Sequence, residues 1–183
     1  MIKGWHSLVG TFTGVALLTA ALLPVAALVV WLLARHQRGA GTEWAWRKSV
    51  AEVGIVYGTV PWVWMILLPG SRAGTVTGRV SLVPLVDLIS MPVGQIIGNL
   101  LVFAALGFLA PLRFAALASV PRILALAAGC SVLVETAQYV LRLDRVSSVD
   151  DVLLNAVGAG LAAWASRRWW CTTTRSAQLS HVG

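Results

Sequence analysis

The chain has 183 residues, of which 58% are hydrophobic and only 11% charged, and its formal net charge is +7. A soluble domain usually carries about 25% charged residues, so this composition excludes an ordinary soluble fold and predicts an integral membrane protein. The basic residues lie at the ends of apolar runs rather than along one face, which argues against nucleic-acid binding.

Five apolar runs follow one another along the chain, and most of them approach the roughly 20 residues that a helix needs to cross a bilayer. They cover residues 8–34, 50–68, 94–110, 122–141 and 151–166. The first run is too long for the apolar core of a cleaved signal peptide. We therefore predict an all-α fold, namely an integral membrane helical bundle of about five transmembrane helices.

The distribution of Lys and Arg predicts how this bundle crosses the membrane. With the amino terminus outside, nine of the 14 basic residues fall on the inner side: Arg35, Arg38, Arg47, Lys48, Arg113, Arg122, Arg167, Arg168 and Arg175. The other five fall outside: Lys3, Arg72, Arg79, Arg142 and Arg145. Because cytoplasmic loops are enriched in Lys and Arg, we expect the amino terminus outside and the carboxyl terminus in the cytoplasm.

Hydrogen-bonding side chains recur at helical spacing in the outer third of three predicted spans. The stripes are Glu135, Gln138 and Arg142; Asp151 and Asn155; and Gln95 and Asn99. Residues three or four apart share a helix face, and a carboxylate facing lipid costs up to about 3 kcal/mol on insertion scales. We therefore expect the stripes to face one another around an outward-facing polar pocket, with Arg142 or Arg145 neutralising a carboxylate.

Each of these side chains also has a purely structural interpretation. Glu135 can be the ion-pair partner of a nearby arginine and hold two segments together. Asp150 and Asp151 can cap the fifth helix, since Asp at a helix start accepts hydrogen bonds from free N–H groups. Asn99 and Asn155 can link helices by hydrogen bonds. The sequence leaves these alternatives open.

The combined spacing of these residues resembles the VanZ-like family of bacterial membrane proteins. The pattern E-x-x-Q, R-x-x-x-x-D-D and N-x-x-G is matched by Glu135, Gln138, Arg145, Asp150, Asp151, Asn155 and Gly158. Upstream, the family's N-x-x-x-F-x-P-x-G segment is matched by Asn99, Phe103 and Gly107, with Ala105 in place of the usual proline. The segment SLVPLVDL is similar to the family's outer loop. The resemblance covers about residues 82–163.

The resemblance implies how the chain is organised and where it resides. We expect a VanZ-like helical region at residues 71–170. The apolar runs and the charge distribution add two amino-terminal transmembrane helices without placed family motifs in residues 1–70 and a flexible cytoplasmic tail at 171–183. The family is associated with teicoplanin resistance, so an antibiotic-resistance or cell-envelope role in the bacterial plasma membrane is the expectation that it brings.

Three functions fit the pocket, and we rank them in this order. The first is binding of an envelope lipid or glycopeptide headgroup, and its ligand-binding candidates are Asn99, Gln138, Arg142 and Asn155. The second is an enzyme acting on a lipid-linked substrate, and its candidate catalytic residues are Glu135, Arg145, Asp150 and Asp151. There, Glu135 would be the acid/base and Arg145 would hold an anionic group. The third is a small transporter.

No cofactor and no metal site are expected. The three histidines, His6, His36 and His181, and the two cysteines, Cys130 and Cys171, are too scattered for metal-ligand spacing. The expected partners are membrane lipids and either a lipid-linked envelope precursor or a glycopeptide, whereas the oligomeric state stays open. Glu52 is expected to lie beside Arg47 or Lys48 near the inner surface.

Overall fold

The computed structural model describes residues 9–75 and 78–179, with side chains as far as Trp170. The expectations made for Lys3, His6, Cys171, Arg175, His181 and the tail from residue 171 therefore lie wholly or partly outside the described residues. Most of the described chain is helical, which confirms the all-α prediction.

In the part of the chain that the structure describes, six α-helices account for the five predicted spans. They are α1 (Phe12–Gly39), α2 (Ala45–Ile66), α3 (Val93–Val102), α4 (Ala104–Arg113), α5 (Val120–Val140) and α6 (Val149–Leu179). Length and composition suit α1, α2, the α3–α4 pair and α5 for crossing a membrane. The fifth predicted span, α6, is not among these four, because two aspartates and an asparagine lie in its first two turns.

The third predicted span is interrupted where α3 ends and α4 begins. Phe103 separates them with φ −112° and ψ 15°, outside helical geometry. The residue aligned with the family's proline is Ala105, so the interruption does not depend on a proline ring. The helix is thus interrupted in mid-span by the backbone conformation of one buried residue, Phe103.

Helix α6 is the centre of the bundle, with α3, α4 and α5 packed around it. Small residues line its contact faces, and the core includes Ala159 and Ala163 together with Phe103, Ile123 and Ala127 from neighbouring helices. Helix α1 packs against α2, and only 6% of its apolar window is buried. Side chains left exposed in this way suit contact with lipid.

One end of the bundle, here called the strand end, carries a short two-stranded parallel sheet. β1 (Arg79–Ser81) pairs with β2 (Val146–Ser148), and Val80 lies opposite Ser147. The Gly70 and Gly74 N–H groups donate to the carbonyls of Leu143 and Arg142, both at 2.9 Å. These hydrogen bonds therefore join the loop after α2 to the loop after α5 at the strand end of the bundle.

The opposite end of the bundle is here called the arginine end. It is formed by the helix ends near which most of the arginines lie. Glu52 of α2 pairs there with Arg113 of α4 at 2.5 Å and accepts a hydrogen bond from Gln37 of α1 at 3.1 Å. The structure therefore gives Glu52 an ion pair with Arg113 that the sequence did not predict. Its carboxylate ties three helices together, because each contributes one group to it.

Candidate functional site

A polar cavity of about 520 Å³ lies at the strand end, between α2, α3, α5, α6 and the loop before β2. The polar side chains that line it are Gln95, Asn99, Glu135, Gln138, Asp144, Arg145 and Asp151. The rest of the lining is apolar or glycine and includes Phe12, Trp62 and Met65. The structure thus brings together Asn99, Glu135, Gln138, Arg145 and Asp151, which the sequence singled out, in one cavity.

Glu135 lies in the last two turns of α5 and is only 8% exposed. Its carboxylate accepts a hydrogen bond from the Ser148 backbone N–H at 3.2 Å, and its carbonyl accepts one from the Ser147 hydroxyl at 3.0 Å. Strand β2 therefore holds this residue in position. Glu135 also lines a second pocket, apolar and about 270 Å³ in volume, between α5 and the small sheet. It stands at the boundary between a polar and an apolar space.

Asp151 supplies a second carboxylate to the cavity from the first turn of α6. The Asn99 side-chain amide of α3 donates a hydrogen bond to it. Asp151 is close enough to Glu135 for the two carboxylates to interact electrostatically. Asn99 therefore orients one of two neighbouring acidic groups, and this pairing links α3 to α6.

Gln138 and Arg145 both reach the carboxyl end of α2. The Gln138 amide donates to the Ile66 carbonyl at 2.8 Å, and the Arg145 Nε donates to the Leu68 carbonyl at 3.4 Å. The last carbonyls of a helix lack partners within the helix, so Gln138 satisfies an Ile66 carbonyl that would otherwise be unpaired, whereas Leu68 lies two residues beyond the end of α2. Each side chain still lines the cavity.

Arg142 does not share a helix face with Gln138, and that prediction is wrong. Helix α5 ends at Val140, and Arg142 lies beyond it in the left-handed region, with φ 51°. The side chain is exposed and is not part of the cavity lining. The prediction failed because it extended the helical spacing of α5 to Arg142, which lies two residues beyond the end of the helix. Arg142 does not neutralise Glu135.

Asp150 faces away from the cavity, unlike its neighbour Asp151. It is 2% exposed, and its two carboxylate oxygens accept hydrogen bonds from the backbone N–H groups of Leu85 and Leu88 at 2.5 and 3.0 Å. The Ser148 hydroxyl accepts from the Asp150 N–H at 3.2 Å and so caps α6. Capping of its own helix, one of the alternatives left open for Asp150, is not what this carboxylate does, because it binds the backbone of Leu85 and Leu88 instead.

Asn155 lies deeper than the cavity, between α5 and α6. It is 1% exposed, and its amide donates to the Ser131 hydroxyl at 2.7 Å. It does not line the cavity with Asn99 and Gln138, contrary to the expected arrangement. Asn155 instead links α5 to α6 by a hydrogen bond, which is the structural alternative that the sequence left open for it.

Sequence reasoning missed that Asp87 binds the Ser148 side chain. The Ser148 hydroxyl donates to the Asp87 carboxylate at 2.6 Å. This bond and one from Ser81 hold the pKa of Asp87 below its ordinary value, because both stabilise the ionised form. The only signal was an aspartate inside the apolar SLVPLVDL segment, which suggests an anchored loop but not its partner.

Negative charge predominates in the cavity. Its carboxylates are Glu135, Asp144 and Asp151, and its cation is Arg145. Asp144 is engaged elsewhere, since it pairs with Arg72 at 3.5 Å. Among the described residues the structure contains one other ion pair, that of Glu52 at the arginine end. Glu135 and Asp151 thus face the cavity without a direct ion pair, and Arg145 acts on Glu135 only from a distance.

The fold and the site define a multi-pass helical membrane protein with a polar cavity at one end of its bundle. The chain belongs to the VanZ/LLP1 family, whose model matches residues 55–170, well over half of its length. This confirms the resemblance, and the match includes every residue of the polar cavity except Phe12. Neither the curated proteins nor the solved structures include a significant match to the chain.

Proposed function

We propose that the polar cavity binds the headgroup of an envelope lipid or of a lipid-linked envelope precursor. The observation that carries this proposal is Glu135, a carboxylate more than nine-tenths buried that lines the polar cavity and has no direct ion-pair partner among the described residues. A carboxylate in a membrane span costs about 3 kcal/mol on insertion scales, so such groups usually serve a function.

The cavity lining suits a headgroup that carries an anionic group together with ammonium or hydroxyl groups. Glu135 and Asp151 accept hydrogen bonds from ammonium or hydroxyl groups, and Arg145 can pair with a phosphate through its remaining guanidinium donors. Apolar side chains at the rim, among them Phe12 and Met65, provide a surface for an acyl chain. A lipid meets both requirements at once.

The distribution of charge supports a cavity that opens to the outside of the bacterial plasma membrane. The strand end carries fewer basic residues than the opposite end, and the positive-inside rule puts the richer end in the cytoplasm. A headgroup bound there would belong to the outer leaflet, where glycopeptides such as teicoplanin meet their targets. Teicoplanin resistance by shielding of such a headgroup is the physiological role that we propose.

An enzyme acting on a lipid-linked substrate is the second candidate, and one observation favours it. Glu135 lines both the polar cavity and the apolar pocket, so its carboxylate lies where the bond between headgroup and lipid would lie. It could act there as a general acid or base. Transport is less well supported, because the buried core of the bundle is an apolar cluster that includes Val102, Phe103 and Ala127.

Native mass spectrometry of the purified protein tests this proposal. The protein should retain one class of lipid, and Glu135→Gln should lose it while still accepting the Ser148 N–H through the amide oxygen. Glu43→Gln is the matched control, since it removes the same charge from an exposed site at the arginine end. A chemically altered lipid would favour the enzyme. Identical lipids on the wild type and on Glu135→Gln would contradict both.

A further inference from the structure

Six arginines of the arginine end each lie over an aromatic ring. The pairs are Arg35 with Trp31, Arg38 with Trp46, Arg47 with Trp44, Arg113 with Phe114, Arg167 with Trp164, and Arg168 with Trp169, at 4.1–5.7 Å from ring centroids. Stacking fixes the plane of a guanidinium and leaves its N–H groups free to bind phosphate. The end of the bundle is therefore lined with oriented cations.

Acidic residues do not balance this charge. The described part of the arginine end includes eight basic side chains: Arg35, Arg38, Arg47, Lys48, Arg113, Arg122, Arg167 and Arg168. Its acidic side chains are Glu43 and Glu52, and Glu52 is already paired with Arg113. A surface with such an excess of positive charge attracts anionic lipid headgroups.

One groove at this end combines that charge with an apolar wall. It has a volume of about 350 Å³ and lies between α2, α4 and α6, and its lining consists of Trp46, Arg47, Val50, Phe108, Leu109, Leu112 and Trp169. Phe108 and Trp169 contact each other with ring centroids 5.5 Å apart. The groove therefore combines an apolar, partly aromatic wall with the cation of Arg47.

Two guanidiniums flank this groove in fixed positions. Arg47 donates to the Trp169 carbonyl at 3.4 Å and lies over the Trp44 ring at 5.2 Å. Arg168 lies over the Trp169 ring, on which the groove is built, at 4.1 Å. Both cations thus contact the same residue, Arg47 from α2 and Arg168 from α6, and no ion pair among the described residues engages either of them.

We propose that this groove is a binding site for an anionic phospholipid, separate from the polar cavity. The phosphate group pairs with Arg47 and Arg168, and an acyl chain packs on Val50, Leu109 and Leu112. Arginine suits this role because its planar fork matches phosphate oxygens. Basic pockets between membrane helices recognise anionic headgroups in the same way. This site adds a second lipid class to the protein, whatever the polar cavity binds.

Lipid titration of the full-length protein, followed by native mass spectrometry, tests the site. Phosphatidylglycerol should bind more tightly than phosphatidylcholine of the same acyl chains, and Arg47→Gln should weaken it about fivefold, the usual effect of one cation near a membrane surface. Arg167→Gln is the matched control, because it removes an equal charge and an equal stacking partner outside the groove. It should leave binding unchanged.

Two further variants distinguish loss of the binding site from misfolding of the protein. Arg168 is exposed, so Arg168→Gln removes the second cation with little risk to the fold. Val50→Trp keeps every charge but fills the groove, and it should also weaken binding of phosphatidylglycerol. Equal binding of the two lipids would overturn the proposal. An equal loss in Arg167→Gln and Arg47→Gln would do so too, because it would show diffuse surface charge instead of a site.

Discussion

At the scale of single residues, burial and partner decide what each polar side chain does. Asp150 and Asp151 are adjacent in sequence, yet one fixes a loop through two backbone N–H groups and the other lines the cavity. Helical geometry turns successive side chains by about 100°, so neighbours in a helix face different surroundings. A pair of aspartates that looks like a single motif therefore serves two purposes.

Replacing Asp150 should loosen the segment 82–91 specifically. Asp150→Asn keeps one acceptor oxygen but places an NH₂ group against one of the two backbone N–H donors, and losing a hydrogen bond to a charged group costs about 1.5–3 kcal/mol. Hydrogen–deuterium exchange at Leu85 and Leu88 should become faster. Asp87→Asn is the control, since its amide oxygen can still accept from the Ser148 hydroxyl. Unchanged protection of Leu85 in Asp150→Asn would show that this carboxylate does not hold the loop.

At the scale of elements, close approach to α6 sets the shape of the bundle. Gly158 of α6 faces the Leu100 backbone of α3, and Gly107 of α4 faces the Ala159 backbone of α6. A Cβ at either position would collide with main-chain atoms, which cannot move without shifting a helix. Both glycines therefore permit the contacts that put Asn99 beside Asp151.

Alanine at these glycines should separate the helices. Gly107→Ala and Gly158→Ala should each lower the free energy of unfolding by about 1–3 kcal/mol, the usual cost of overpacking. Thermal unfolding of the purified variants measures this. Gly129→Ala, in α5, is the control, because no atom lies within 4 Å of the added Cβ. It should be neutral or slightly stabilising through helix propensity. Equal stability of all three variants would contradict the account of close packing.

The spacing of polar residues predicted the helices and part of the site, but not the loops. The sequence predicted that Asn99, Gln138 and Asp151 lie near one another, because helix periodicity and depth in a membrane can both be read from it. Arg142 was misplaced because the end of α5 at Val140 carries no proline or glycine to mark it. The contact between Asp150 and residues 85 and 88 was not predictable, because pairing over such a separation leaves no periodic pattern.

At the scale of the whole molecule, the two ends of the bundle differ in chemistry. The strand end gathers carboxylates and amides around a cavity, and the arginine end gathers stacked guanidiniums around an apolar groove. A bundle with unlike ends has a preferred orientation in a membrane, and the basic end usually faces the cytoplasm. The proposed headgroup and phospholipid sites would then lie in opposite leaflets.

Labelling of single cysteines should establish this orientation. In a variant with Cys130 and Cys171 replaced by alanine, Ser71→Cys lies exposed at the strand end and Glu43→Cys lies exposed at the arginine end. An impermeant thiol reagent should label Ser71→Cys in intact cells, and Glu43→Cys only after the cells are permeabilised. The reverse pattern would place the polar cavity on the cytoplasmic side.

The central claim is that Glu135 and Arg145 serve a ligand instead of holding the bundle together. The most direct test is a double-mutant cycle on the unfolding of purified protein, with Glu135→Gln, Arg145→Gln and the two combined. Since no direct ion pair joins the two side chains in the described structure, the losses in the two single variants should simply add in the double variant, as they do for uncoupled sites. The double variant should show no recovery. A loss of about 3–5 kcal/mol in each single variant, restored in the double, would identify a structural ion pair and contradict the claim.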